Sequence, residues 1–157
     1  MNRKIVTFEI DQIGTKARTA HVVRGRRAIR YTLAETKAYE RRIALLVQQA
    51  LGKDRASWCK EGAFVVDVVI YKTVPASRPK VYRQMALAGK IRPIARPDVD
   101  NTTKAILDAV KGILWRDDTQ VVGLHTDRYY AETERIVVTI ENVTHEEDRW
   151  SIKRSKK

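Results

Sequence analysis

Six residues in the middle of the chain have the types and spacing for phosphate chemistry: Asp98, Asp100, Asn101, Lys104, Asp117 and Asp118. Pro97 biases Arg96 toward extended backbone. If the chain stays extended to Asp100, the side chains of Asp98 and Asp100 share a face, because extended chain has period two. A helix of ten residues then carries the chain about 15 Å away, and a returning strand can bring Asp118 back. Carboxylates gathered among so many cations would repel one another unless a divalent ion sat between them. Oxygen ligands of this kind suit Mg²⁺ or Mn²⁺. Each piece alone also has a plainer explanation. Asp-x-Asp before a helix, or Asp-Asp opening a strand, is ordinary turn and cap chemistry.

Lys104 falls in the first turn of that helix, where its side chain leans back over Asp100. It is either half of an i, i+4 ion pair with Asp100 or Asp108, or a cation placed to stabilise charge on a reacting phosphate.

Positioning these groups requires a small sheet with helices packed on it. Lys4 to Ile10 reads as a strand, with Val6, Phe8 and Ile10 on one face. The basic stretch Ala20 to Tyr31 is expected to be a second strand or hairpin arm. Thr32 and Glu35 form a capping box for a helix running to Leu51, with Tyr39, Ile43, Leu46, Val47 and Ala50 as its apolar stripe. Gly52 is a natural stop. Gly62 to Tyr71 reads as a strand. Val74 to Pro97 holds all four prolines and is expected to be a long basic loop with a short helix over Lys80 to Ala88; such a loop is usually functional. Asn101 suits an N-cap for a helix over Thr102 to Lys111, closed by Gly112. Thr119 to Tyr129 and Arg135 to Asn142 read as a hairpin. The fold class is α/β (α+β): a small mixed β-sheet with two main helices. Residues 1–145 form one domain and 146–157 a charged tail.

The chain has 31 Lys and Arg against 19 Asp and Glu, a net charge of +12. Two acid-free segments carry it. Between Gln12 and Ala34 stand Lys16, Arg18, Arg24, Arg26, Arg27 and Arg30. Between Val68 and Pro97 stand Lys72, Arg78, Lys80, Arg83, Lys90, Arg92 and Arg96. The remainder is close to neutral. A solvated face usually mixes both signs, so two long single-sign runs point to a polyanion, nucleic acid first. Lys and Arg that meet phosphates release counterions and make binding salt-sensitive.

Other classes fall away. No apolar run reaches the roughly 18 residues that a membrane-spanning helix needs. Glu9 interrupts the apolar start, so no signal-peptide core is expected. The single cysteine, Cys59, excludes an internal disulfide or a Cys-based zinc site, and His21, His125 and His145 are scattered. A cytoplasmic location is expected. Cys59 reads as a buried or incidental thiol, His125 as structural or surface, and Trp115 as core. Tyr82, in the basic loop, is the better base-stacking candidate.

Arg96-Pro97-Asp98-Val99-Asp100-Asn101, Lys104, Asp108-Ala109, Gly112 and Asp117-Asp118-Thr119-Gln120-Val121 together resemble the signature of the RusA family of Holliday junction resolvases. Weaker similarity reaches Gly14 to Tyr39 and Lys80 to Arg92. The chain departs from the family pattern at Thr102-Thr103, where an apolar residue commonly follows the Asn. It departs again at Arg128, where the family often has Lys, and around Gly14 to Arg18, which lacks the usual prolines. None of these removes a candidate catalytic group.

The resemblance implies a homodimeric, Mg²⁺-dependent endodeoxyribonuclease, often phage- or prophage-encoded, in DNA recombination and repair. It would nick branched DNA symmetrically and leave 5′-phosphate and 3′-hydroxyl ends. It implies Asp98, Asp100 and Asp118 as metal-binding catalytic carboxylates, Lys104 as the catalytic lysine, and Asp117 as a further acid beside them. Mn²⁺ would be expected to substitute. Lys16 to Arg30 and Arg78 to Arg96 are the candidate DNA contacts, reading backbone and shape more than bases. Two other readings fit the same letters. One is a DNA-binding module without catalysis, its aspartates serving as caps and turns. The other is a metal-dependent nuclease for flaps, forks or structured RNA.

Overall fold

The computed structural model describes residues 4–14 and 26–145, with the side chains of residues 26–33 outside the description. Four strands, β1 (Lys4–Ile10), β2 (Phe64–Thr73), β3 (Val121–Ala131) and β4 (Arg135–Asn142), form one mixed sheet in the order β1-β4-β2-β3. Three helices, α1 (Arg26–Leu51), α2 (Lys80–Leu87) and α3 (Val99–Val110), accompany it. The fold is α+β, as the sequence indicates.

The expected hairpin between the last two strands does not form. β2 lies between them, parallel to β3 and antiparallel to β4. The composition of the strands accounts for this. β2 reads FVVDVVIYKT, nearly continuous apolar sequence suited to an interior position. β3 carries Gly123, His125, Asp127 and Arg128, which suit an edge. The connection over residues 132–134 needs only to pass the end of β2. Two strand spacings are about 9.6 Å, within reach of three extended residues.

Val6, Phe8 and Ile10 of β1, Phe64, Val66, Val68 and Ile70 of β2, and Ile136, Val138 and Ile140 of β4 bury one face of the sheet. α1 packs against β1 and α3. Its buried stripe is Ile43, Val47 and Leu51, with Tyr39 and Leu46 packed beside it. Ala50, expected in that stripe, is exposed. α1 also starts at Arg26, so the segment Arg26–Tyr31 is helical rather than a strand. The turn of helix ahead of Thr32 contains Ala28, Arg26, Arg27 and Arg30, all compatible with a helix, and Arg ranks among the better helix formers. The rest of the predicted basic strand lies outside the described residues, as does the tail.

Beyond Leu51 the chain tightens into a 3-10 turn, Gly52–Ala56. Trp58, Phe64 and Trp115 then build an aromatic cluster, with ring centroids 6.3 Å apart for Trp58–Phe64 and 5.6 Å for Phe64–Trp115. Phe64 is fully buried, which contributes about 1.5–3 kcal/mol on transfer. No helix among the described residues is long and apolar enough to cross a membrane.

Candidate active site

α3 starts earlier than the capping expectation. Asp98, not Asn101, holds the N-cap position, with φ −69° and ψ 144°, and its side chain makes no capping hydrogen bond. Its carbonyl oxygen does the work instead, accepting from Thr102 N at 3.1 Å and Thr102 Oγ1 at 3.2 Å. Asn101 sits inside the helix. Asp100 is helical too, so the two-residue alternation expected for Asp98 and Asp100 stops at Asp98. Both side chains are exposed at the head of α3.

The buried face of α3 explains why the helix is held. Thr102, Thr103, Ala105, Ile106, Leu107, Ala109 and Val110 are all buried. Lys104 and Asp108 lie on the opposite face. Gly112 follows with φ +82°, a left-handed conformation that favours glycine, and the chain turns there.

Asp118 comes next, and its surroundings are dense with anchors. Trp115 is fully buried, and its Nε1 donates to Asp118 Oδ1 at 3.1 Å. Trp58 Nε1 donates to the carbonyl of Leu114 at 2.9 Å. Gln120 ties the turn from both ends of its amide. Its Oε1 accepts from Arg116 N at 2.8 Å and Asp117 N at 3.0 Å. Its Nε2 donates to the carbonyls of Lys60 at 2.9 Å and Gly62 at 3.1 Å. Sequence reasoning gave Gln120 no role and saw Trp115 as packing alone. The motif letter at 120 was the available signal for the first. A buried Trp three residues before an Asp was the signal for the second, since a buried indole N–H needs an acceptor.

Lys104 is brought to Asp118 rather than to Asp100. Its Nζ lies 3.0 Å from Asp118 Oδ2 and 3.0 Å from Asp108 Oδ1. Asp118 therefore meets α3 at its middle turns. Four residues separate Asp100 from Lys104, an axial rise of about 6 Å. Hydrogen bonds to Asp108 and then Asp118 raise the Lys104 pKa above its usual value. For Asp118 the largest single influence is burial, which raises its pKa. The Lys104 and Trp115 hydrogen bonds and the Lys104 and Lys111 charges together outweigh it, so the carboxyl titrates lower than usual. Asp117 points elsewhere. It caps the 3-10 turn Asp118–Gln120, accepting from Thr119 N at 3.0 Å, and pairs with Lys111 at 3.2 Å. Those contacts, the backbone one first, bring its pKa down to about 2.

Among the described residues, no group of three or more His, Cys, Asp or Glu side chains is arranged to hold a metal ion. The expected gathering of Asp98, Asp100 and Asp118 around one ion is therefore not preformed in the single chain. The donor chemistry still suits a hard cation of a particular kind. Mg²⁺ typically takes one or two carboxylates and fills its shell with water and substrate phosphate. Asp98 and Asp100, exposed and close in sequence, fit that partial set.

The basic candidates divide. Lys16, Arg18 and Arg24 lie outside the described residues, and Arg26, Arg27 and Arg30 fall at the start of α1. Arg78, Lys80, Lys90, Arg92 and Arg96 are exposed around α2 and the loop leading to α3. Several are already engaged. Arg83 pairs with Glu132 at 2.7 Å, and Arg92 with Asp127 at 2.9 Å. Arg78 lies 4.7 Å from the Tyr82 ring centroid, so that ring carries a cation on one side. His125 pairs with Asp67 at 3.0 Å, away from Asp118. Cys59 is exposed.

Two comparisons bear on this arrangement. Residues 12–141 match the family model described as Endodeoxyribonuclease RusA. The chain is also similar to a protein of Bacillus subtilis (strain 168) named "Uncharacterized protein YqaN", with 33% identity over 113 residues, 71% of this chain and 77% of that one.

Proposed function

The chain belongs to the RusA endodeoxyribonuclease family, and on that footing we propose that it resolves Holliday junctions by paired symmetric nicks in recombination and repair. Nucleases of this family generally depend on a divalent metal ion; Mg²⁺, with Mn²⁺ able to substitute, is the ion proposed here. What supports the reading is the placing of Lys104 against Asp118, on the same helix that carries Asp98 and Asp100 at its head.

In this scheme Asp98 and Asp100, with Asp118, are the ligands and catalytic carboxylates, and Asp117 is a lesser neighbour occupied by its turn. Bound there, a divalent ion would supply charge neutralisation at the scissile phosphate and a more acidic water. The chain's own groups do the rest. Lys104 brings an ammonium held between Asp108 and Asp118. It therefore stabilises negative charge on the phosphate rather than passing a proton. Trp115 fixes the orientation of Asp118. Hydrolysis leaves 5′-phosphate and 3′-hydroxyl ends. The basic residues from Arg78 to Arg96, and Lys16 to Arg30, meet the DNA backbone.

A four-way junction has near two-fold symmetry, and paired nicks call for two matched sites, hence a homodimer with an isologous interface. The reading is tested by cleavage of labelled four-way junctions, flaps and forks with Mg²⁺ and with chelator. Metal-dependent paired nicks in the four-way junction support it. Junction binding without any cleavage favours the non-catalytic module, a reading that gains from the lack of a preformed ion cage among the described residues.

A further inference from the structure

We infer that the second half of β3, with Lys72 of β2, is a clamp that sets the position of the segment delivering Asp98 and Asp100, and that Arg128 is its chief positioning residue. The inference rests on the proposed roles of those two acids.

Between the end of α2 at Leu87 and the start of α3 at Val99 the chain has no helix or strand, and Ile94 is 96% exposed. Burial alone does not place it. Consecutive residues of β3 do. Side chains at 126 and 128 point to the helix-covered face of the sheet, and those at 127 and 129 point to the opposite face. Between them they hold the chain on either side of Asp98 and Asp100. On the covered side, Thr126 Oγ1 lies 3.2 Å from Thr103 Oγ1, and Arg128 Nη2 donates to the carbonyl of Ala95. On the open side, Arg92 donates to Asp127 at 2.9 Å, and its guanidinium stacks 3.7 Å from the centroid of the Tyr129 ring. Lys72 Nζ donates to the carbonyl of Arg96. The held points, at residues 92, 95, 96 and 103, bracket Asp98 and Asp100. The same strand follows directly on the 3-10 turn Asp118–Gln120, so the third acid lies next in sequence to the strand that grips the other two.

The contacts are not equal. The Arg92–Asp127 pair is half exposed on both partners, where water and salt weaken an ion pair. Arg128 is more enclosed, and its Nε is sealed from water without a hydrogen-bond partner. A sealed, unmatched donor is costly. The Ala95 carbonyl gives a reason for that cation to stand there. A lysine would reach the same carbonyl without bringing the idle Nε.

The test uses the full chain as Arg128→Met, Arg128→Lys and Lys72→Met, read by amide hydrogen exchange, junction binding and single-turnover cleavage. In Arg128→Met, exchange at residues 102 and 103, the first hydrogen-bonded amides of α3, should rise about tenfold, while β4 and the buried stripe of α1 keep wild-type protection. Cleavage should fall about tenfold to 100-fold, well beyond any loss of junction affinity through Arg92 and Arg96, the signature of misplaced groups. Arg128→Lys should restore both, and Lys72→Met should loosen the same residues to a lesser extent. Wild-type exchange at residues 102 and 103 in Arg128→Met overturns the clamp, and so does an Arg128→Lys chain that behaves like Arg128→Met. Should Arg128→Met not fold, Lys72→Met decides, and unchanged exchange there overturns the inference. A wild-type chain that cuts no branched DNA with Mg²⁺ sinks the proposed nuclease function instead, and the exchange comparison still judges the clamp.

Discussion

Lys104 and Asp118 meet across the gap between α3 and the turn that opens β3, with Nζ 3.0 Å from Oδ2. The pairing joins residues fourteen apart in sequence and brings the motif's two halves together. Lys104→Met should leave junction binding in a gel-shift assay close to wild type and slow single-turnover cleavage about 100-fold. A variant that cuts at the wild-type rate would remove Lys104 from the chemistry.

Asp100→Asn separates binding from catalysis at the head of α3. The substitution keeps size and removes charge. Cleavage with Mg²⁺ should drop by about 100-fold or more, with junction affinity equal or slightly tighter. Normal cutting by this variant would end the assignment of Asp100.

Trp115→Phe deletes the donor to Asp118 Oδ1 while keeping most of the ring in the aromatic cluster. Carboxyl NMR titration should find the Asp118 midpoint moved up toward its ordinary value of 3.8. Stability should fall by about 1–3 kcal/mol from the missing hydrogen bond and the smaller ring. An unmoved midpoint would show that Lys104 and Lys111 set the Asp118 charge without the indole.

The acid limb of stability has a defined sign. Asp117 and Asp118 titrate lower in the folded chain than their ordinary 3.8, Asp117 at about 2. Their contribution is full above about pH 4 and is lost as pH falls through the folded values. Lys104, raised, contributes below its ordinary 10.5 and loses its contribution only in strong alkali. Unfolding midpoints should therefore vary little on account of these three groups between about pH 5 and pH 9 and drop below about pH 4. Asp117→Asn should flatten that drop; a curve identical to wild type would rule out the Asp117 cap as a source of it.

Charge reversal at Arg26 and Arg27 addresses the DNA face. Binding should weaken for every junction sequence, and the slope of log affinity against log salt should fall by about 0.9 for each phosphate left without its cation. An unchanged slope would place the backbone contacts elsewhere.

Much of the fold was legible. β1, β4 and the bulk of α1 and α3 follow from apolar residues at period two or 3.6, and Gly112 marks the end of α3 with a backbone only glycine adopts readily. What was hidden depended on long-range choices. That β2 would slip between β3 and β4 follows from comparing three strands' exposure, which local pattern does not compare. The helical start at Arg26 was masked by its charge, which resembles a nucleic-acid arm. At the site, spacing and the family resemblance offered Asp98, Asp100, Asp118 and Lys104 as candidates. Of their partners, Asp108 four residues beyond Lys104 was legible and Asp118 was not. Lys104 turned from Asp100 to Asp108 and Asp118, because Trp115 and Gln120 deliver Asp118 to the middle of α3. Those anchors sit in a turn tied to residues 58–62, a linkage no local rule anticipates.

The strand order has an implication for synthesis. Residues 98, 100, 104 and 118 all leave the ribosome before Arg135–Asn142, yet that last strand is the one on which both Lys4–Ile10 and Phe64–Thr73 pair. A nascent chain halted at residue 131 would own every proposed catalytic side chain and lack the partner that joins its first strand to the rest. Pairings this distant along the polypeptide close late. The sheet is thus completed by the last described strand, after the proposed acids and lysine have already been laid down along the polypeptide.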